Sequence, residues 1–212
     1  DALAELCRAY WYPLYAFVRR KGHAPEEAQD LVQGLFASLL ERDDLHTLEP
    51  ARGRLRSFLM ACCDHYLAKH HAHERALKRG GGHKPIAIDH SEGEARFGGE
   101  PSHELTAERL FERHWALTLL DQVLGRLDAE MERTDRRLLY KRLQPVLFAQ
   151  EGGPTYRQIA AELSLSEGAV KMAAHRLRSR YRELLRAEIA LTVDDPAEVD
   201  AEIAALLDAL AP

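Results

Sequence analysis

The sequence predicts an all-α protein: two small helical domains joined by a polar linker, the second ending in a helix-turn-helix, followed by a C-terminal helix. Alanine, leucine, arginine and glutamate dominate its 212 residues. No segment alternates β-branched and polar residues over a strand's length, and apolar residues recur at helical spacing. A chain of this length fits one or two domains. We predict domains at residues 1–82 and 104–191, a linker at 83–103 and a C-terminal extension at 192–212.

The first domain contains three or four predicted helices. One covers about residues 2–20 and ends at Lys21-Gly22. The next begins at Pro25, a residue favoured in the first turn of a helix, and two glutamates follow where the helix dipole favours carboxylates. The third starts after Pro50 or Gly53 and continues to about residue 79, where a run of three glycines ends it. The apolar stripe of the second helix is Leu31, Leu35, Phe36 and Leu39.

The second domain begins near Glu104, after a linker assigned from its His, Gly, Pro and Ser residues. Its first helix has a long apolar face, and its second helix spans about residues 134–148. Gly152-Gly153-Pro154 then separates this helix from the next. The apolar face of the first helix consists of Leu110, Trp115, Leu119, Leu120, Val123, Leu124 and Leu127.

Residues 155–182 have the apolar pattern of a helix-turn-helix. Ile159, Ala160 and Leu163 form one stripe, the segment 164–166 interrupts it, and Ser166 is a good N-cap for a second helix. We expect Leu165 and Val170 to fill the angle between the two helices, and Leu177 to face inward with Val170. Such a second helix enters the DNA major groove. Its predicted DNA-reading residues are Lys171, Met172, His175, Arg176 and Arg178.

The charge of the chain is unevenly distributed. The net charge of the chain is −5, but residues 51–84 carry +6 and residues 155–188 carry +3, and the rest of the sequence is acidic. Two basic segments suggest two contacts with nucleic acid, one of which coincides with the helix-turn-helix. The alternative is that both are ordinary solvated helix faces.

Several function classes find no support in the sequence. Cys7, Cys62 and Cys63 are an odd number without CxxC spacing, which favours reduced thiols. The histidines near residue 70 reproduce no structural zinc spacing, so we predict neither a metal nor a cofactor. No nucleotide loop, nucleophile elbow or paired carboxylates occur, so we expect no catalysis. Without a signal peptide or an apolar run long enough to span a bilayer, a cytoplasmic location is expected.

Specific strings in both domains resemble bacterial RNA polymerase sigma factors of the extracytoplasmic-function type. Residues 28–36 are similar to the acidic D-x-x-Q-x-x-F helix that such factors dock onto core polymerase, and residues 53–66 to the helix that melts and reads the −10 promoter element. Residues 155–182 are similar to their −35 reader. His65 stands where such proteins commonly have Asn, and Phe58 where they have Trp, so the resemblance does not give the promoter sequence.

The resemblance implies a role for each string. Polymerase binding falls to Asp30, Leu31, Gln33 and Phe36, and contact with −10 DNA falls to Arg54, Arg56, Phe58, His65, Tyr66 and Lys69. The implied partners are core RNA polymerase and promoter DNA, and an anti-sigma factor or a Ser/Thr kinase is left open as a regulator. The domain at 1–82 then corresponds to sigma region 2 and the domain at 104–191 to sigma region 4.

The C-terminal extension has a character of its own. Asp195-Pro196 is a helix start, and six acids with no Lys or Arg follow residue 189. Its apolar stripe is Val199, Ile203, Leu206, Leu207 and Leu210. We expect this helix to fold against the chain, where it either masks a DNA- or polymerase-binding surface or completes a domain core.

Two other functions fit parts of the sequence. A stand-alone helix-turn-helix regulator would bind its operator without polymerase, although no dimerisation heptad is evident. A non-catalytic helical adaptor would use the basic helices to bind acidic proteins. Polymerase-dependent initiation at a new sequence separates an initiation factor from both.

Overall fold

The computed structural model describes residues 2–41, 54–77, 94, 97, 105–147 and 152–211; for residues 2–6, 40–41 and 73–77 only the backbone is described. All secondary structure within these residues is helical, which confirms the predicted all-α class. The helices group into two compact units, residues 1–118 with 192–212, and residues 119–191.

The first unit contains α1 (Ala2–Arg20), α2 (Pro25–Glu41) and α3 (Leu55–Leu77), together with the beginning of α4 (Ala107–Arg133). Helix α1 is its centre, because every residue from 12 to 18 is buried. A helix that is covered on all sides must be apolar all round, as this segment nearly is. The predicted starts of α1 and α2 are confirmed.

The chain turns between α1 and α2 at Gly22, whose φ is +98°. Glycine adopts this conformation without steric cost. The amide N–H of Lys21 donates to the carbonyl of Phe17 at 3.1 Å, which ends α1 one turn before Pro25 begins α2.

The division between the two units lies inside α4 and not before it. Phe111 packs edge-on against Phe17 of α1 at 6.2 Å between ring centroids, and His114 packs against Tyr12 at 4.7 Å. These contacts make the first turns of α4 part of the first core, whereas composition placed the boundary in the linker. Aromatic contacts between distant segments leave no signal in local composition.

Most of the predicted linker at 83–103, and the glycine run at 80–82, lie outside the described residues. Two linker residues, Glu94 and Phe97, are described, and both contact side chains of α1. The guanidinium of Arg19 donates to both carboxylate oxygens of Glu94, at 2.7 and 3.0 Å, and also lies over the ring of Phe97. The hydroxyl of Tyr15 donates to Glu94 at 2.6 Å. This segment is therefore attached to α1 at these two positions.

The second unit contains the rest of α4 with α5 (Arg137–Leu147), α6 (Tyr156–Glu162) and α7 (Glu167–Ala190). Asp135, with φ of +55°, turns the chain between α4 and α5. The core of this unit includes Val123, Leu127, Tyr140, Leu143, Ile159, Val170 and Leu177.

The C-terminal extension forms a 3₁₀ turn at Pro196–Glu198 and then α8 (Val199–Leu210). The carboxylate of Asp195 accepts the amide N–H of Ala197 at 2.8 Å, which is the predicted cap. The extension belongs to the first unit, as expected of a helix folded against the chain. Val199 and Leu206 are buried as predicted, but Leu207 is 61% exposed, so the stripe is narrower than its periodicity suggested.

None of the helices in the described part of the chain has the length and hydropathy required to cross a bilayer.

Candidate nucleic-acid interface

Helices α6 and α7 are joined by a turn that is fixed at both ends. Thr155 and Gln158 form a capping box at the start of α6, and the hydroxyl of Ser166 accepts the amide N–H of Ala169 at 3.1 Å at the start of α7. Each cap satisfies an amide N–H that has no partner within its helix. The direction in which α7 leaves the turn is therefore set by local hydrogen bonds.

The turn itself ends α6 with a left-handed residue. Ser164 has φ of +53°, and the amide N–H of Leu165 donates to the carbonyl of Ala160 at 2.9 Å. This is a Schellman arrangement, in which glycine is the usual left-handed residue. The expectation that Leu165 fills the angle between the helices is wrong, since the residue is 43% exposed. Val170 is buried as predicted.

The first half of α7 has one buried and one exposed face. Val170, Ala174 and Leu177 are buried at helical spacing against the second unit. The opposite side carries the residues predicted to read duplex DNA: Lys171, Met172, His175, Arg176 and Arg178 are all exposed. We call Lys171, Met172, His175 and Arg176 the α7 row.

The cations of α7 differ in how they are used. Arg180 donates to both carboxylate oxygens of Glu130, at 2.7 and 2.8 Å, and to Glu183 at 3.0 Å. Arg178 donates to the carbonyl of Val146 at 3.3 Å. These interactions lie within the second unit, so both arginines help to hold it together.

The cations of the α7 row are less engaged. Among the described residues, Lys171 forms its ion pair with Glu167, one turn earlier on the same helix, at 2.7 Å. Within the described part of the chain, no ion pair or side-chain hydrogen bond involves Arg176. The α7 row therefore offers two cations, an imidazole and a thioether whose position is fixed but whose polar groups remain accessible.

A second cationic group lies at the start of α3, and it is covered. Arg54 and Arg56 were expected to contact −10 DNA, but both donate to the carboxylate of Glu202 on α8. The Nε of Arg56 lies 2.6 Å from Oε1 of Glu202, and the Nε of Arg54 lies 2.9 Å from Oε2. Glu202 is fully buried and Arg56 is only 6% exposed. We call these three residues the Arg54–Arg56–Glu202 cluster.

Arg56 has two further partners inside the first unit. Its Nη1 donates to Glu112 of α4 at 2.9 Å, and its guanidinium lies over the ring of Trp115 at 4.8 Å. Burial opposes the charge of Arg56, but the carboxylates of Glu202 and Glu112 outweigh it and raise the pKa of the guanidinium above its usual value. Arg56 is thus held charged in a site from which water is excluded.

The other residues predicted to contact −10 DNA lie further along α3. His65 and Lys69 are exposed, and Phe58 and Tyr66 are half-buried. The Tyr66 ring packs over Gly34 of α2, where a Cβ would overlap its hydroxyl, and burial raises the pKa of that hydroxyl. Tyr66 therefore contributes to the contact between α2 and α3 and keeps only part of its ring accessible.

The predicted polymerase-binding residues lie on α2. Leu31 and Phe36 are buried, and Asp30 and Gln33 are half-buried, not fully exposed. Asp30 and Gln33 lie one helical turn apart and so share one face of α2. Phe36, expected to anchor a partner, is 8% exposed and contributes its ring mainly to the core.

Cysteines and histidines form no evident reactive centre in the part of the chain that the structure describes. No group of three or more His, Cys, Asp or Glu residues there is arranged to hold a metal ion. Cys7, Cys62 and Cys63 form no disulfide, and burial raises the pKa of Cys63 to about 12. A thiol in such surroundings stays protonated and unreactive at neutral pH.

Comparison of the chain with protein-family models, with curated proteins and with solved structures finds no significant match. Sequence reasoning did not identify Glu202 as a functional residue. The sequence does indicate that Glu202 is unusual. It lies three residues after Val199 and four before Leu206, which places a carboxylate on the apolar side of α8.

Proposed function

We propose that this protein is a transcription initiation factor that binds core RNA polymerase and directs it to promoters by reading −10 and −35 elements. The observation that carries the proposal is the α7 row, an exposed set of cationic and polar side chains on a helix whose start is fixed by a short capped turn. Helices presented in this way read base edges from the major groove with the side chains nearest their N-terminus.

The chemistry of the α7 row suits base-edge recognition. Arg176 and Lys171 are able to donate to guanine acceptors or to phosphates, and Met172 presents an apolar surface to a thymine methyl group. Met172 is 54% exposed, so its thioether is accessible for such a contact.

Polymerase dependence is supported by the first unit. The string that includes Asp30, Gln33 and Phe36 resembles the polymerase-docking helix of sigma factors, and it stands on α2, which packs against α1 and α3. Asp30 and Gln33 are half-buried, so each presents part of its surface on the face of α2 that a protein partner would contact. The stand-alone regulator and the adaptor need neither residue.

Transcription from a library of premelted templates tests the proposal directly. The chain is mixed with bacterial core RNA polymerase, and start sites are mapped with and without it. We expect initiation at a sequence that core polymerase alone does not use. We also expect Asp30→Ala with Gln33→Ala to abolish initiation while the chain stays folded and still binds duplex DNA through the second unit.

Each other result points to a different function. Tight, sequence-specific binding to duplex DNA with no effect on initiation would favour the stand-alone regulator. Absence of both DNA binding and initiation would overturn the proposal and favour the adaptor. The variant pair Glu26→Ala with Ser38→Ala is a matched control, because it removes one charged and one neutral polar side chain from the same helix outside the string at 28–36.

A further inference from the structure

We propose that α8 is an autoinhibitory element, which holds Arg54 and Arg56 on Glu202 until promoter DNA and polymerase displace it. The inference rests on the proposed function, because it assigns the two arginines to the phosphates of the melted promoter. It adds a regulatory step to that function: the first unit exists in a closed form with α8 docked and an open form with α8 released.

The carboxylate of Glu202 occupies the place that a phosphate would take between two guanidinium groups. Arg56 approaches it with two donors, Nε at 2.6 Å and Nη2 at 3.2 Å, and Arg54 with a third at 2.9 Å. Guanidinium groups bind carboxylates and phosphates with the same paired N–H geometry. Glu202 and a DNA phosphate are therefore competitors for the same donors.

The buried position of Glu202 is unusual for a helix whose only purpose is to complete a core. Residues 199, 206 and 209 on the same face are apolar and buried, and an apolar residue at 202 would continue that face. Replacing a buried ion pair by well-packed apolar residues is often neutral or stabilising. Glu202 therefore makes the docking of α8 depend on charge, which an apolar side chain would not do.

The charges of the two segments reinforce this dependence. Residues 51–84 carry a net charge of +6, and residues 189–212 carry −6 with no cation. The acidic extension lies in the same unit as α3, so it lowers the positive potential there. Polyanionic DNA competes with the extension both at the two arginines and through this general attraction.

Two contacts with backbone carbonyls also attach the extension to the first unit. The amide N–H of Leu55 donates to the carbonyl of Thr192 at 3.1 Å, and Arg109 reaches the carbonyl of Asp208 at 3.5 Å. The first lies before α8 begins, and the second is long. Release of α8 exchanges Glu202 for other anions at the two arginines and exposes the apolar face of the helix.

Glu202→Gln tests the proposal, because it keeps the shape of the side chain and removes its charge. Glu112 and Trp115 remain beside Arg56, so the guanidinium keeps part of its environment. We expect the variant to bind a premelted promoter, in complex with polymerase, about tenfold more tightly than wild type. The dependence of log K on log salt concentration should stay close to that of wild type, because the two arginines contact the same phosphates in both proteins once α8 is released.

Asp208→Asn is the matched control, since it removes one negative charge from the exposed side of the same helix. We expect it to change neither the affinity nor the salt dependence. Equal behaviour of Glu202→Gln and wild type, with wild type still initiating transcription, would overturn the autoinhibition and leave the proposed function standing. Failure of wild type to initiate with polymerase would overturn the proposed function itself.

Hydrogen exchange on the wild-type chain provides a test that does not depend on how any variant folds. The amides of residues 199–210 are followed in the free chain and in the complex with polymerase and promoter. We expect protection in the free chain and its loss in the complex, while the amides of α1 stay protected in both. Unchanged protection of α8 in the complex would show that the helix is a permanent part of the first unit and would overturn the inference.

Discussion

The cations at the start of α3 and those of the α7 row are of similar chemistry, but the first are paired with a buried carboxylate and the second are exposed to solvent. At the start of α3, Arg54 and Arg56 are paired with Glu202, from which solvent is excluded. In the α7 row, Lys171 and Arg176 lie exposed, and the one ion pair that the described residues show for these two cations joins Lys171 to Glu167 of the same helix. Cations in the first group contribute to the packing of their unit, whereas those in the second leave its packing unchanged.

The difference shows that a count of positive residues does not identify a binding surface. The segment around α3 has the larger positive charge in the sequence, yet Glu202 engages both Arg54 and Arg56, and Arg56 is buried. A buried charge must be matched by a partner, and here the partner comes from the other end of the chain. The α7 row has the smaller charge but is the surface that a ligand can reach in this conformation.

The largest expected effect is on the free energy of unfolding. It is measured by replacing one arginine of each cationic group with methionine. Arg56→Met leaves Glu202 buried with one cation fewer, so the free energy of unfolding should fall by about 3 kcal/mol. Arg176→Met removes an exposed side chain and should change it by less than about 0.5 kcal/mol. Urea denaturation followed by circular dichroism measures both values. Equal losses for the two variants would contradict the distinction between the groups.

The next largest effect is on DNA affinity. It is tested by comparing alanine substitutions of two arginines of α7. Arg176→Ala should weaken binding to a −35 duplex by about 1–3 kcal/mol and relax specificity at one position if the side chain reads a base. Arg180→Ala should leave binding nearly unchanged, because Glu130 and Glu183 already engage that side chain. Fluorescence anisotropy with a labelled duplex at fixed salt measures both. A larger loss for Arg180→Ala would move the DNA-binding surface away from the α7 row.

The smallest expected effect concerns the turn that aims α7. Ser164→Gly should raise the free energy of unfolding of the chain by about 0.5–1 kcal/mol, because glycine adopts the φ of +53° at lower cost than serine. Ser164→Ala retains a Cβ and should bring no such gain. Thermal unfolding of the three proteins separates these values, and destabilisation by glycine would show that the serine side chain has another role in the turn.

Local features of the fold were predictable from the sequence because they depend on neighbouring residues. Pro25, Ser166 and Asp195 start helices where expected, since each start depends on a cap or a fixed φ within a few residues. The inward positions of Val170 and Leu177 follow from helical periodicity alone. Interactions of this range can be read directly from adjacent positions in a sequence.

Long-range pairings were not predictable. Arg56 and Glu202 are 146 residues apart, and nothing in either segment specifies the other. Leu165 and Leu207 lie at apolar positions but are exposed, because periodicity gives the direction of a side chain and not the extent of the surface that covers it. The boundary between the units within α4 was not predictable for the same reason, because it depends on the long-range contact between Phe111 and Phe17.

Photocrosslinking from two positions of the second unit tests the central claim, that the α7 row faces promoter DNA. Met172, in the row, and Leu138, on α5, are apolar side chains of similar exposure, 54% and 64%, and each is replaced by a benzophenone amino acid. In the complex with polymerase and promoter, we expect the probe at 172 to crosslink to the −35 DNA and the probe at 138 not to do so. Crosslinking from both positions alike, or from 138 alone, would contradict the account.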